Sequence, residues 1–218
     1  MFVYLPSCKL TRACPEADRK IRAYLSRRDD MRIAGCCSVA VREMIAADTA
    51  ITACMSCAAI VRENGAQGGQ VSLWEYLAAD AEFPWPDFGG EAITIQDCWR
   101  ARNDSALHDA VRECMHKMHI RVVEIAGNRE NCEFDGVWRM NPLTEPTMKR
   151  APQFFGDVAV HGIEPVPKEE QPQRMREWAA QYATDRVTAY CNACLNGIKL
   201  GGANGVHLLE LATENIGL

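Results

Sequence analysis

The sequence lacks the features that identify several common classes of protein. It has no basic block and its net charge is −5, so a nucleic-acid partner is not expected. No apolar run approaches the roughly 18 residues that suggest a membrane span, and residues 1–8 lack the basic segment of a signal peptide. No Gly-x-Gly-x-x-Gly phosphate loop is present. These absences predict a cytoplasmic protein with no membrane span and no nucleotide-binding loop.

Cysteine is unusually frequent in this chain. The 218 residues include 11 cysteines, and in a reducing cytoplasm such cysteines serve as metal or redox ligands more readily than as disulfides. The hydrophobic fraction of 48% is enough for a packed core. That core can belong to one large α/β domain or to two halves of roughly 100 residues each.

The cysteine groups recur just past predicted strands, and a helical pattern usually follows. The predicted strands cover 2–6, 31–34, 49–53, 92–96, 120–125 and 186–190. The predicted helices cover 15–28, 39–47, 57–64, 72–79, 104–118, 173–182 and 206–213. This alternation predicts an α/β fold in which small, mostly parallel sheets are flanked by helices. The cysteines are then expected at the C-terminal ends of the strands, where open α/β sheets bind ligands.

The two halves of the chain repeat the same order of motifs. Cys54-Met55-Ser56-Cys57 corresponds to Cys191-Asn192-Ala193-Cys194, and each segment follows a predicted strand. Cys8 corresponds to Cys98, since both begin the pattern Cys-x-x-x-Arg. The repeat therefore predicts that both halves share one fold.

The repeat also predicts the division of the chain. The first half covers 1–82 and includes a Gly-containing break at 65–69. The second half covers 91–218 and carries a Pro-rich insertion at about 140–172, the least regular stretch of the sequence. Residues 82–90 are rich in proline and glycine and are predicted to link the halves.

Adjacent cysteines stand in the middle of the first half, at Cys36 and Cys37. Two neighbouring cysteines do not easily bond to each other, but both can donate thiolates to one metal centre. The counterpart in the second half is Asn131-Cys132, where one thiol is missing. A missing ligand can leave a metal position open to substrate, which makes Cys132 the candidate catalytic residue.

The residue pattern leaves three interpretations open. The cysteines can be buried core residues, iron–sulfur ligands or zinc ligands, and metal is favoured because successive strand ends are a poor pattern for a core. Cys114, on the apolar face of a helix, and Cys14 are not expected to bind metal. Arg12 and Arg102 are either counter-charges to thiolates or surface residues. The candidate ligands are Cys8, Cys36, Cys37, Cys54 and Cys57 in the first half and Cys98, Cys132, Cys191 and Cys194 in the second.

The arrangement Cys…Cys-Cys…Cys-x-x-Cys, repeated in a duplicated α/β chain, resembles the cysteine-rich CCG-domain family. That family includes the disulfide-reducing subunit of heterodisulfide reductase and related iron–sulfur oxidoreductase subunits. The resemblance implies one or two [4Fe-4S] clusters, in cubane or noncubane form. It also implies that the first centre has five ligands, namely Cys8, Cys36, Cys37, Cys54 and Cys57.

The resemblance further implies a redox function. The protein would be the disulfide-reducing or electron-transfer subunit of a larger oxidoreductase, and an iron–sulfur or flavin subunit would supply its electrons. A small disulfide or thiol would be its substrate. The alternative is a zinc-binding structural or assembly protein that keeps the fold without redox activity, and zinc is the alternative metal in the second half.

Overall fold

A computed structural model describes residues 1–65 and 68–217. Ala66 and Gln67, within the predicted break, and Leu218 lie outside the described residues. The chain divides into two compact units, which we call the first unit and the second unit. The first unit contains Met1–Pro86 and the residues from Leu209 on, and the second contains Asp87–Leu208.

The first unit is built on a four-stranded parallel sheet. The strands are β1 (Phe2–Leu5), β2 (Met31–Ile33), β3 (Thr49–Thr52) and β4 (Gly69–Ser72). Their order across the sheet is β2-β1-β3-β4, and all three pairings are parallel. The helices are α1 (Cys8–Ala13), α2 (Pro15–Leu25), α3 (Cys37–Ala40), α4 (Met55–Asn64) and α5 (Leu73–Ala79).

The second unit repeats this topology. Its strands are β5 (Ala92–Ile95), β6 (Arg121–Val123), β7 (Arg186–Ala189) and β8 (Gly205–His207), in the parallel order β6-β5-β7-β8. Its helices are α6 (Ser105–Lys117), α7 (Glu145–Met148), α8 (Pro152–His161), α9 (Gln171–Ala179) and α10 (Asn192–Leu200). A last helix, α11 (Leu208–Ala212), begins at the unit boundary.

The predicted fold class is confirmed, since both units are parallel α/β structures with helices beside the sheet. The central strands β1, β3, β5 and β7 are short apolar or β-branched runs, and three of the four residues in each are buried. Burial of both faces of such strands is typical of parallel sheets. None of the described helices is both long enough and apolar enough to cross a membrane.

Three local predictions were wrong. The helix predicted over 39–47 ends at Ala40, and turns follow it, closed in part by a hydrogen bond from the Ile45 amide to Asp48. The strands β4 and β8 were missed because each is short and begins with glycine, which gives no apolar alternation to detect. They add the outer strand beside β3 and β7 respectively.

The Pro-rich stretch is more regular than predicted. It contains α7, α8 and the start of α9, and each of these helices has a proline in its first two positions. Proline is tolerated there because the first N–H groups of a helix have no partner within the helix. The prolines at 146, 152 and 172 therefore mark helix starts and not an irregular segment.

In each sheet the strand order reverses direction beside the first strand, and this reversal marks the expected ligand-binding edge. From β5 the chain crosses to β6 on one side, and β7 then pairs on the other side of β5. In open α/β sheets the crevice at such a reversal, outside the carboxyl ends of the strands, is where ligands bind. The segments after β5 and β7 carry Cys98, Cys191 and Cys194.

Candidate metal centre

Three cysteines and one aspartate meet at this edge of the second sheet. Cys98 follows β5, Cys191 immediately precedes α10, and Cys194 lies in the first turn of that helix. Asp135 comes from the loop between β6 and α7. One potential ligand atom from each of these residues lies within 4.8 Å of the others. Among the described residues, this is the one such group of three or more side chains.

A single carboxylate oxygen is the common point of this group. Asp135 Oδ1 lies 3.4 Å from Cys98 Sγ, 3.7 Å from Cys191 Sγ and 3.8 Å from Cys194 Sγ. Asp135 is 1% exposed and Cys191, the most accessible member, is 7% exposed. The four side chains therefore form a compact donor set that is almost entirely closed to solvent.

A buried arginine accompanies the group. Arg100 donates from Nε to Asp135 Oδ2 at 2.6 Å and from Nη2 to Asp135 Oδ1 at 2.9 Å. The same Nη2 lies 3.3 Å from Cys191 Sγ, and the guanidinium packs 4.3 Å from the ring centre of Trp138. Arginine stays charged when buried and presents several donors in a fixed plane. It therefore supplies the positive charge that a set of thiolates and a carboxylate requires.

The protonation of the group follows from these contacts. Hydrogen bonds from the Cys194 and Cys98 thiols, together with the charge of Arg100, lower the pKa of Cys191 well below its ordinary value. Burial raises the pKa of both Cys98 and Cys194. Burial also raises the pKa of Asp135 to about 7, because its effect exceeds that of the adjacent Arg100. A metal ion binding here would displace protons from these groups.

Close backbone packing fixes the loop that carries Asp135. Gly136 has a φ of +54°, and a Cβ added there would meet the Ala193 carbonyl oxygen at 2.1 Å. On the other side of the contact, a Cβ on Gly197 would lie 2.5 Å from the Cα of Gly136. Two glycines therefore let the loop lie directly on α10. This contact sets Asp135 beside the helix that carries Cys194.

A buried ionic network fixes the segment before Cys98. Arg112 on α6 donates to Asp97 at 2.9 and 2.7 Å and to Glu124 at 2.8 Å from two nitrogens. The Asp97 amide donates to Asn128 Oδ1 at 3.1 Å. The Asp97 carbonyl oxygen lies 3.8 Å from Cys194 Sγ. The network therefore holds the end of β5 in the position that brings Cys98 into the group.

The cysteines of the first unit are arranged differently. Cys57 forms thiol hydrogen bonds with Cys37 and Cys54, which, with burial, raise the pKa of Cys57. The hydrogen bond from Cys57 lowers the pKa of Cys37 to about 7. Cys8 and Cys36 are exposed. Cys57 thus contacts both Cys37 and Cys54 at the equivalent edge of the first sheet, while two predicted ligands face solvent.

An unsatisfied polar atom lies near the thiols of the first unit. The hydroxyl of Tyr4, on β1, is fully buried and has no hydrogen-bond partner among the residues that the structure describes. Burial and interactions with Asp18 and Cys57 raise its pKa. A buried polar atom without a partner is unusual, so this hydroxyl is available to a group bound among these thiols.

Cys132 does not belong to the four-residue donor set in the second unit, although the Cys194 thiol also approaches the Phe134 carbonyl oxygen, at 3.8 Å. Cys132 is fully buried, and its thiol lies 3.6 Å from the Phe134 carbonyl oxygen and 3.9 Å from Gln96 Nε2. Burial raises its pKa to about 12.

Cys14 and Cys114 are also buried, as predicted for Cys114. Of the nine predicted ligands, the structure brings three, Cys98, Cys191 and Cys194, close to one another and to Asp135. The roles of the nine predicted ligands, including the catalytic role of Cys132, stay predictions.

Sequence reasoning missed two members of this site. Asp135 lies three residues after Cys132 and just before a glycine, which is the signal that could have marked it as a ligand on a tight loop. Arg100 lies two residues after Cys98. For Arg102 the sequence left a counter-charge and a surface residue as equal alternatives, and in the structure Arg102 packs 4.0 Å from the ring centre of Trp99 and donates to the Trp99 carbonyl. The counter-charge in the second unit is therefore Arg100.

The fold and this site define a parallel α/β protein with a buried thiol and carboxylate group that can hold a metal ion. All 11 cysteines lie within the described residues, and no disulfide joins any of them. The chain matches no protein-family model, no curated protein and no solved structure.

Proposed function

We propose that this protein is a cysteine-ligated metal protein with a redox function, similar to the iron–sulfur subunits of the CCG-domain family. The observation that carries the proposal is the grouping of free thiols after the strands of both parallel sheets, Cys57 with Cys37 and Cys54 in the first unit and Cys98 with Cys191 and Cys194 in the second. Buried thiolates without disulfides are the usual ligands of iron–sulfur clusters and of zinc. The repeated topology supports a second centre in the first unit.

The first unit would bind the iron–sulfur cluster. Its candidate ligands are Cys8, Cys36, Cys37, Cys54 and Cys57, and the exposure of Cys8 and Cys36 leaves that side open to a partner. A bound [4Fe-4S] cluster would supply one-electron chemistry at potentials set by its surroundings. The chain's own residues would hold the cluster near the surface, and the buried Tyr4 hydroxyl would contact it.

An electron-transfer or disulfide-reducing subunit fits this arrangement. An iron–sulfur or flavin subunit would deliver electrons, and reduction of a small disulfide would consume two electrons and two protons and yield two thiols. No partner or substrate is needed for the first test of the proposal. The first test is whether the chain binds iron and sulfide at all.

Anaerobic purification provides that test. We expect a brown protein with broad visible absorption, roughly four irons and four acid-labile sulfides per cluster, and an electron paramagnetic resonance signal on reduction. Cys37→Ser should remove most of this iron, whereas Cys14→Ser should not. A folded, colourless protein that takes up no iron and sulfide during anaerobic reconstitution would exclude the redox function.

A second candidate is a mononuclear zinc site in the second unit, and the geometry there favours it. Zinc bound by thiolates and one carboxylate oxygen at ordinary bond lengths places that oxygen about 3.5 Å from each sulfur. The three observed separations are 3.4, 3.7 and 3.8 Å. A four-iron cluster binds its thiolates at separate irons and so requires them to lie farther apart. The closed, four-donor site is typical of structural zinc.

Metal analysis of variants separates the two candidates. If the second unit holds zinc, Cys194→Ser should remove about one zinc ion per chain and leave iron and sulfide unchanged. If it holds a cluster, the same variant should lose about four irons and leave zinc at background. Loss of neither metal would exclude a metal function for the second unit.

A further inference from the structure

Two cysteines of the donor set lie at the start of one helix. Cys191 is the residue before α10, and Cys194 is the third residue of that helix. These two positions face each other at a helix start, as the paired side chains of a capping box do. Their sulfur atoms lie within 4.8 Å of each other. The spacing Cys-x-x-Cys is also that of dithiols that form disulfides reversibly. A disulfide between the two cysteines therefore requires no movement of one helix or strand relative to another.

Cys191 is the thiol of this set that a small reagent reaches first. It is 7% exposed, whereas Cys98 and Cys194 are fully buried. Arg100 Nη2 lies 3.3 Å from the Cys191 sulfur, and a positive charge beside a thiol promotes its reaction as a nucleophile. Cys191 is therefore expected to react before Cys194.

The charges of the site make the metal-bound and disulfide states alternatives. Asp135 already engages Arg100 through hydrogen bonds of 2.6 and 2.9 Å, so buried thiolates without a metal ion would lack a counter-charge of their own. Such charges are costly to bury, and a proton on each sulfur, a bound ion or a disulfide removes that cost. The disulfide also takes two of the four donors, and the remaining two do not complete the tetrahedral set of structural zinc. The disulfide and the bound ion therefore exclude each other.

We propose that Cys191 and Cys194 form a site of reversible oxidation, at which a peroxide converts the pair to a disulfide and expels the metal ion. The Cys191 sulfur attacks one peroxide oxygen, the O–O bond breaks, and a sulfenic acid and the first water form. The Cys194 sulfur then displaces the hydroxyl group as the second water and forms the S–S bond. In total, two thiolates, two protons and one peroxide yield one disulfide and two waters. Expulsion of the ion rests on the proposed zinc site, whereas formation of the disulfide does not.

Peptide mass spectrometry of the full chain after treatment with hydrogen peroxide tests the proposal. Trypsin cleaves after Arg186 and Lys199, so one peptide contains Cys191 and Cys194 and no other cysteine. The disulfide lowers the mass of this peptide by two hydrogens and blocks both cysteines from alkylation. In the zinc-loaded protein, a chromophoric chelator should detect one released ion for each disulfide formed in this peptide. Dithiothreitol should restore both thiols and zinc binding.

Serine variants, compared in metal-free form, establish the order of the reaction. Cys194→Ser should trap a sulfenic acid on Cys191, which dimedone labels, whereas Cys191→Ser should leave Cys194 unlabelled. Cys98→Ser is the matched control and should leave the disulfide within the peptide unchanged. All samples carry Cys8→Ser and Cys36→Ser, which prevents disulfides between chains through these exposed cysteines. Circular dichroism checks that each variant keeps its fold.

Three results would overturn the proposal. A disulfide that joins Cys98 to Cys191 across two peptides would assign the oxidation to a different pair. A peptide 187–199 that stays reduced at millimolar peroxide would show that the pair is not a site of oxidation. Disulfide formation without loss of zinc would contradict the mutual exclusion of the two states. A protein that forms the disulfide but binds no zinc would support the oxidation site and contradict the zinc site alone.

Discussion

The two units have the same strand order but present their cysteines in different ways. In the second unit three thiols and the Asp135 carboxylate are buried together beside Arg100. In the first unit the contacting thiols are Cys37, Cys54 and Cys57, and two further predicted ligands are exposed. A closed four-donor set favours one ion held for stability, whereas an open, larger set favours a group that exchanges electrons with a partner. Under the proposed function, the second unit would therefore bind a structural ion and the first unit would bind the redox-active group.

The largest expected effect is loss of the closed centre. Cys194→Ala should abolish tight metal binding by the second unit and destabilise it by several kcal/mol, because the binding free energy of a structural ion contributes to folding. Metal content by mass spectrometry and thermal unfolding measure the two effects. Cys114→Ala is the matched control, a buried cysteine on α6 outside the donor set. Equal metal loss from both variants would contradict the assignment.

Thiol reactivity should separate the two units in the metal-free protein. We expect iodoacetamide to label Cys8 and Cys36 at least about a hundredfold faster than Cys98 and Cys194, since a buried thiol reacts only when the structure opens locally. Peptide mass spectrometry after timed labelling measures these rates. Reconstitution with iron and sulfide should then protect Cys8 and Cys36. Unchanged labelling of both cysteines in a brown, reconstituted protein would remove them from the ligand set.

The fold and three of the four residues in the donor set can be predicted from the sequence, for reasons that lie in the strands and in the residues that follow them. The strands β1, β3, β5 and β7 are compact apolar runs, and parallel pairing necessarily brings their C-terminal ends to one edge. That logic is enough to predict that Cys98, Cys191 and Cys194 meet. Asp135 was not predictable in this way, because it follows no strand directly. Its position depends on how the loop packs against α10 through Gly136 and Gly197.

Arg100 and Arg102 also could not be told apart from the sequence, and substitutions of the two residues provide the next test. The two arginines are two residues apart, and only the folded structure distinguishes them. Arg100→Gln should weaken metal binding by the second unit about 10- to 100-fold, the usual effect of removing a group that supports metal ligands. Arg102→Gln should leave it unchanged, because Arg102 packs on Trp99. Competition with a chromophoric chelator measures the affinity, and equal losses from the two variants would contradict the assignment of Arg100 as the counter-charge.

The smallest expected effect is on the pH dependence of stability in the metal-free protein. Burial raises the pKa of Asp135 from 3.8 to about 7, so between these values the folded state binds more protons than the unfolded state. The stabilising contribution is therefore present at low pH and is lost as pH rises toward 7, by up to about 1.4 kcal/mol per pH unit. Above pH 7 this loss should end. Among the described residues of the first unit, no such carboxylate joins the thiol group, so the part of the slope that comes from a buried carboxyl belongs to the second unit. The lowered pKa values of Cys37 and Cys191 contribute in the opposite direction, and the comparison with a variant of Asp135 isolates the carboxyl.

Urea unfolding followed by tryptophan fluorescence, with chelator and reductant present, measures this slope from pH 5 to 8. Asp135→Asn should flatten it, because the amide does not titrate. Asp157→Asn should not, since Asp157 is an exposed residue of α8 that lies 3.9 Å from His161. Bound metal should reverse the dependence, because the ion requires the carboxylate and each proton lost then favours binding. A slope that is identical in wild type and Asp135→Asn would show that the buried carboxyl is not the titrating group.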